Sequence, residues 1–330
     1  MRVARKSPDL TPSALVYYCS NTQQRGSPMS NAWRSLSVFA AIAGAAFPAA
    51  ASPPTQACAL AADLSAGVNG DPVVDLPFRT IDGRIYLDVL VDGRGPFVFA
   101  VDTGASGIGR ADASLVAELA LPYDGEGQTS DGIATAKVDT VRIASLALGD
   151  LVRSDVSVIA RDYRSRVSAE AAFSGILGRE FFADGLLMID FPAKRLRFFN
   201  SSELRADQSG AMAYERAFRV PVTLGSMKTT GNLDTGADVT LVIPAALYDQ
   251  LQGAPLQSAG NVSLTNTRIE SSAGQFAGPV QVGEATLTDV PVRVVAEFPE
   301  VLVGAHALKG QRVLIDQRHK AVAVCPSQVP

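Results

Sequence analysis

The sequence predicts an all-β chain of two similar small β-barrel lobes related by a pseudo-twofold axis. Past residue 72 it is a run of short segments with alternating apolar residues, separated by Gly-, Asp- and Pro-containing turns. Helix-favouring stretches are few and short. The pattern also occurs twice: Asp102-Thr103-Gly104-Ala105 returns 132 residues later as Asp234-Thr235-Gly236-Ala237.

Taken in order, residues 1–28 precede a second methionine, Met29, and read as an upstream or mis-started segment. Residues 29–51 read as a signal peptide, with Arg34, then the apolar run LSVFAAIAGAAF at 36–47, then Ala49-Ala50-Ala51 as an A-x-A cleavage pattern. The run is shorter than the about 20 residues of a membrane-spanning helix. Export to the periplasm or beyond is expected, with no stable membrane insertion after cleavage. Residues 52–72, opening on Ser52-Pro53-Pro54, read as an N-terminal coil.

Residues 73–200 form the first expected lobe. Its strands are Arg84–Val91, Phe97–Val101, Lys137–Ile143, Asp155–Ile159, Leu186–Asp190 and Leu196–Phe199, with a short helix at Ser114–Leu121. The polar stretch 201–215 reads as a linker. Residues 216–330 form the second lobe, with strands at Phe218–Leu224, Val262–Leu264, Val290–Val295 and Val313–Ile315 and a helix at Pro244–Leu251. At the offset of the D-T-G-A pair, Gly93 meets Gly225, Leu115 meets Leu247 and Leu119 meets Leu251. Ile176-Leu177-Gly178 is matched by Leu302-Val303-Gly304, and Ile189-Asp190 by Ile315-Asp316. These matches come at a slightly shorter spacing, so the second copy has lost loop residues. Asp190 and Asp316 are expected at turns.

Composition excludes several functions. A chain of 330 residues with 47% apolar and 19% charged side chains is globular. A net charge of −4 without a basic block argues against a nucleic-acid partner. Two histidines, His306 and His319, are too few for a multi-histidine metal site and leave Ser106 without a base as a nucleophile. Three cysteines without a C-x-x-C pair exclude a structural zinc module. No metal and no cofactor is expected. Cleavage after Ala51 leaves Cys58 and Cys325, and an even pair in an exported chain predicts a disulfide. Thr103–Ala111, TGASGIGRA, is similar to the glycine-rich loop of short-chain dehydrogenases. It is one residue short of that loop, and no tyrosine in the chain has lysine four residues on. That reading also leaves the second D-T-G-A unexplained.

The repeated tetrapeptide has a chemistry of its own. Each Asp ends an apolar strand, where burial is costly unless the carboxylate is paired or hydrogen-bonded. If the lobes pack about a pseudo-twofold axis, Asp102 and Asp234 meet there. Two adjacent carboxyls cannot both ionise, so they share a proton and titrate as a pair. One can activate water as a general base while the other polarises a carbonyl oxygen, which hydrolyses an amide.

These residues resemble the aspartic peptidases, the retropepsin-like branch more than the pepsin-like one. Asn232–Leu241, NLDTGADVTL, is similar to the active-site loop of retroviral proteases, and Gly175–Glu180, GILGRE, to their hydrophobic-hydrophobic-Gly element. With its signal, the chain resembles exported bacterial aspartyl proteases that carry two retropepsin-like lobes in one chain. The resemblance implies the acid-protease fold and an aspartic endopeptidase acting on an extended peptide of an exported or membrane-protein substrate. It implies a monomer, since both catalytic Asp residues, Asp102 and Asp234, lie in one chain. Thr103 and Thr235 would hydrogen-bond across the lobe interface, and Gly104 and Gly236 would offer carbonyls to substrate. Gly178 and Gly304 would let a strand pass beneath each loop, and Asp238 and Ser106 would contact substrate. Flaps are expected near Gly127–Lys137 and Glu270–Pro279. A catalytically silent peptide-binding module is the alternative, opposed by the intact D-T-G in both copies.

The chain departs from the family in ways that matter. Ala105 and Ala237 stand where pepsin-like lobes carry a hydroxyl that bonds the catalytic carboxylate, so a dyad titrating higher than in those enzymes is expected. The retropepsin Asp–Arg pair is split. Asp238 has Ala305 after its lobe's Gly304, whereas Arg179 follows Gly178 in the lobe that carries Ser106.

Overall fold

A computed structural model describes residues 53–327 except 69 and 252. The upstream segment and the signal lie outside the described residues. Alternation builds the sheets: along Arg219–Leu224, Val220, Val222 and Leu224 are buried while Pro221 faces out. Strands from Arg79–Ile81 to Gly175–Leu177 form an eight-stranded sheet, in which Leu90 and Val91 also pair with Ala147 and Leu146 and close the first lobe on itself. Strands from Arg219–Leu224 to Val301–Gly304 form a nine-stranded sheet, the second lobe.

A third sheet, of six strands, draws on both halves of the chain. Leu186–Asp190 runs antiparallel to Gln311–Asp316, with Leu186 opposite Asp316. These strands, expected within separate lobes, instead join the two. Met212–Ala213, inside the expected linker, pairs with Ala321–Pro326 at one edge of this sheet.

One further expectation is corrected. The N-terminal segment 52–72 is not all coil, because Gln56–Ala66 is an α-helix. The run QACALAADLSA is rich in Ala, with two Leu, and Gly67 ends it in a left-handed conformation, φ 72°. Ala57, Ala61 and Leu64 share one face and pack on the third sheet. Asp190 and Asp316 stand at turns as expected, accepting from the Ala193 amide at 3.0 Å and the Arg318 amide at 3.1 Å, and both are also fully buried. Asp190 accepts from Ser65 Oγ at 2.5 Å and Arg312 Nε at 3.3 Å, and Asp316 accepts from the Leu204 amide at 3.2 Å and Arg318 Nη2 at 2.7 Å. Buried carboxylates need such donors, and here the third sheet and its flanking segments supply them. The Arg318 side chain and the other donors outweigh burial and hold Asp316 below the ordinary carboxylate value.

The same local topology recurs in each lobe and places the D-T-G-A loops. Arg94–Val101 lies parallel to Gly175–Leu177, which pairs antiparallel on its other side with Gly109–Asp112. In the second lobe Met227–Asp234 lies parallel to Val301–Gly304, which is antiparallel to Leu241–Pro244. Each D-T-G-A segment thus leaves one neighbour of a central strand, arches over that strand's end, and returns as its other neighbour.

Candidate active site

The arch requires close backbone approach beneath it. A Cβ on Gly178 would lie 2.3 Å from the Gly107 carbonyl oxygen, and one on Gly304 2.3 Å from that of Val239. The peptides beyond each glycine hold the arch from below. The Arg179 amide donates to the Ala105 carbonyl at 3.0 Å, and the Ala305 amide to that of Ala237 at 2.9 Å.

Thr103 and Thr235, both buried, cross between the lobes. Thr103 Oγ1 donates to the Leu233 carbonyl at 3.0 Å and accepts from the Thr235 amide at 3.0 Å. Reciprocally, Thr235 Oγ1 donates to the Val101 carbonyl at 2.9 Å and accepts from the Thr103 amide at 3.1 Å. Each hydroxyl thus spends a donor and an acceptor on the opposite lobe, which fixes the height of one loop against the other.

Asp102 and Asp234 sit just in front of this network. A Cβ on Gly104 would fall 2.5 Å from Asp234 Oδ2, and one on Gly236 would fall 2.4 Å from Asp102 Cγ. Each carboxyl is therefore seated against the opposite loop's glycine, and the two face each other across the axis. Alanines stand at 105 and 237, and backbone amides donate to the two carboxyls. Ala105 N donates to Asp102 Oδ1 at 2.9 Å and Gly236 N to Asp234 Oδ1 at 2.8 Å. Burial, and next the charge of Asp102, push Asp234 well above the ordinary carboxylate value, against the pull of the Gly236 and Ala237 amides.

The Gly104 and Gly236 carbonyls each take one side-chain hydrogen bond, and both glycines line the cleft. Gly236 O accepts from Arg84 Nε at 3.1 Å and Gly104 O from Arg179 Nη1 at 3.4 Å. Asp238 meets His306 Nε2 at 2.5 Å and Arg84 Nη2 at 4.0 Å. Burial still pushes its carboxyl above the ordinary value. A histidine from the segment after Gly304, and an arginine from the other lobe, thus take the place of the split arginine pair. Arg179 Nε lies instead 3.2 Å from Glu180. Neither Asp238 nor Ser106 is among the residues lining the cleft cavity.

That cavity, of about 280 Å³, has Asp102 and Asp234 in its floor, Phe173, Ile176, Phe298 and Leu302 in its walls, and Asp131, Gly132, Leu264 and Thr265 overhead. The overhead residues belong to two hairpins. The first, Tyr123–Ser130 with Thr135–Leu148, lies where a flap was expected. The second, Gln257–Ser263 with Arg268–Phe276, turns at 264–267, so the expected span Glu270–Pro279 covers its return strand and the residues beyond. The two tips are tied together. Asp131 Oδ2 accepts from the Asn266 amide at 2.7 Å and Thr267 Oγ1 at 2.9 Å, and Asn266 Nδ2 donates to the carbonyls of Thr129 at 2.9 Å and Ala134 at 3.0 Å. Burial works to raise Asp131, but donors from Ala134, Asn266, Ile133 and Thr267 together hold it below the ordinary value.

Sequence reasoning missed Arg84, His306 and the Asp131–Asn266 tie. The first two lie outside the repeated motifs, and hairpin tips carry no signal of what they meet. The sequence profile described as aspartyl protease matches residues 87–181 and 220–307, more than half of the chain, with one D-T-G-A loop in each segment. No curated protein matches the chain.

Proposed function

The chain belongs to the aspartyl protease family, and from that premise we propose that it is an active, retropepsin-like aspartic endopeptidase. One observation carries the reading: two D-T-G carboxyls face each other, each seated on the opposite lobe's glycine. The pair shares one proton, and the environment of Asp234 favours keeping it there. A water between them gives its proton to Asp102 as it attacks the scissile carbonyl carbon. The proton held at Asp234 moves to the carbonyl oxygen, giving a tetrahedral diol. Asp102 then gives its proton to the amide nitrogen while Asp234 takes one from a diol hydroxyl, so the C–N bond breaks to a carboxylic acid and an amine and the dyad returns to its starting state. The substrate lies extended beneath the two hairpins and pairs with them like an added strand. Both carboxyls come from one chain, so the monomer is the working unit. Digestion of a peptide library by the purified mature protein, with and without a transition-state inhibitor of aspartic proteases, tests this. No inhibitor-sensitive cleavage of any peptide would refute it.

Raising Asp234 extends upward the pH range over which one carboxyl of the pair stays protonated. Activity is expected to peak at mildly acidic to near-neutral pH, and its alkaline limb to follow loss of the shared proton. A kcat/KM profile that peaks at about pH 2, where pepsin-like dyads work, would contradict this.

The substrate we propose is an exported or membrane protein met outside the cytoplasm. The charged–apolar–small order of residues 29–51 and a Cys58–Cys325 disulfide support that location. Among the described residues no helix is long and apolar enough to cross a membrane. Sequencing of the mature N-terminus from the cell envelope is expected to start near residue 52, and an intact Met29 would count against export.

A further inference from the structure

Arg110 is a buried cation of the cleft: burial works to lower its pKa, but the neighbouring Tyr163 and the charges of Asp102 and Asp234 raise it. Arg110 lies on Gly109–Asp112 in the first lobe, and the repeat places Val242, fully buried, at the matching position of the second. Arg110 is 8% exposed and lines the cavity above the dyad. Its Nη1 reaches Thr129 Oγ1 at a long 3.4 Å. Its Nε has no partner at hydrogen-bonding geometry, and neither has the buried hydroxyl of Tyr163, which lines the same cavity.

A guanidinium removed from water is costly unless paired, and a strand position that holds valine in the sister lobe does not need one. The other charged groups around the cavity are engaged. Arg84 donates to Gly236 O, and Arg166 Nη1 donates to the Thr265 carbonyl at 3.0 Å. Glu300 is bound by Arg219 Nη2 at 2.8 Å, and Asp131 is bound into the hairpin tie. The open donors at Arg110 and Tyr163 are flanked by the apolar surfaces of Ala105, Phe173 and Ile176.

Resting on the peptidase reading, we propose that Arg110 and Tyr163 form a carboxylate subsite that selects substrates carrying an acidic group beside the scissile bond. The guanidinium donates to the carboxylate and the phenol adds a further hydrogen bond. The apolar flank fits the methylene stem of an Asp or Glu side chain. A chain-terminal carboxylate offers the same chemistry. An amide analogue would leave the guanidinium short of its charged partner, a discrimination of about 10- to 100-fold.

Three matched peptide libraries separate the possibilities: one with acidic side chains and an amidated C-terminus, one with Gln and Asn in their place, and one of the latter with a free C-terminus. Wild-type protein is expected to cleave the first about 10- to 100-fold better than the second, with the acidic residue at one fixed distance from the cut. Arg110→Met should erase that preference, read as the ratio of the acidic to the neutral library within the variant, because Arg110 also acts on the dyad through its charge. Its fold should persist, since the sister lobe buries valine at this position. Arg110→Lys, which keeps the charge without the fork, should restore part of the preference. Preference for the free-terminus library would assign the subsite to a chain end. Retention of the same libraries on immobilised Asp234→Asn protein reads the subsite without catalysis. If the wild type cuts nothing but the immobilised protein retains the acidic library, the peptidase reading fails and the subsite stands. Equal treatment of acidic and neutral libraries in both assays, or an Arg110→Met variant that keeps the preference, would overturn the subsite.

Discussion

Asp102→Asn and Asp234→Asn are each expected to lower peptide hydrolysis by at least about a hundredfold, the low end of what a general acid–base group supplies. Asn keeps the shape and can still accept the amide hydrogen bonds of Ala105 or Gly236. It cannot take the water's proton or hold the shared one. Each lobe contributes one carboxyl, so neither can stand in for the other, and the double variant should lose little more than either single one. A single variant that cleaves at more than about a hundredth of the wild-type rate would sink the dyad and promote the peptide-binding alternative. Loss in only one variant would mean that two chains pair one type of lobe to build the site.

The same substitutions should not weaken the fold. Asp234 has its proton affinity raised in the folded state by burial and by Asp102. The stability linked to that proton is fully present below the ordinary value of 3.8 and is lost as pH rises through the raised folded value. At neutral pH the native protein therefore carries the cost of the buried pair. Asp234→Asn removes this titration, so thermal stability should stay level or rise near neutrality, and its dependence on pH should flatten. A cooperative loss of structure in this variant would show that the carboxyl, not its shape, holds the loops.

How much of this site is legible in the sequence depends on whether a feature is repeated. The D-T-G-A pair and the apolar-apolar-Gly elements are visible because duplication writes them twice, and they are the parts the backbone of each arch requires. Departures from the repeat were harder to weigh. Arg110 against Val242 is such a departure, readable at the offset but meaningful only once the cavity puts it above the dyad. The third sheet was invisible for a different reason. Leu186–Asp190 and Val313–Ile315 have ordinary strand patterns, and pattern does not say with which half of the chain a strand pairs. Asp190 and Asp316 are turn residues, as an Asp at a strand end usually is, and accept from the turn amides of Ala193 and Arg318. Pattern does not show that they are also buried, with further donors, Ser65, Arg312 and Leu204, from distant segments. The helix Gln56–Ala66 was lost behind two prolines, although its alanines and closing glycine were present in the sequence.

The Cys58–Cys325 bridge is expected to account for a large share of global stability. The structure joins these residues across a separation of 267, and loop-closure entropy assigns such a bridge about 5 kcal/mol. Typical whole-protein stabilities are about 5–15 kcal/mol. Replacing both cysteines by alanine avoids leaving a thiol in the small buried cluster of Ala57, Leu186, Leu314 and Ala323 around Cys325. The helix has contacts besides the bridge: Ala57 N donates to the Ser209 carbonyl at 3.0 Å and Ser65 Oγ donates to Asp190, and these should persist in the variant. The loss should therefore act through the freed unfolded chain, lowering the denaturant midpoint while kcat/KM stays near the wild-type value. Reductant should move the wild type to the same midpoint and leave the alanine variant where it is. Coincident unfolding curves for oxidised wild type and the double variant would remove the bridge as a source of stability. A fall in activity equal to the fall in stability would instead mean that the third sheet, which carries Cys325, sets how the two D-T-G loops meet.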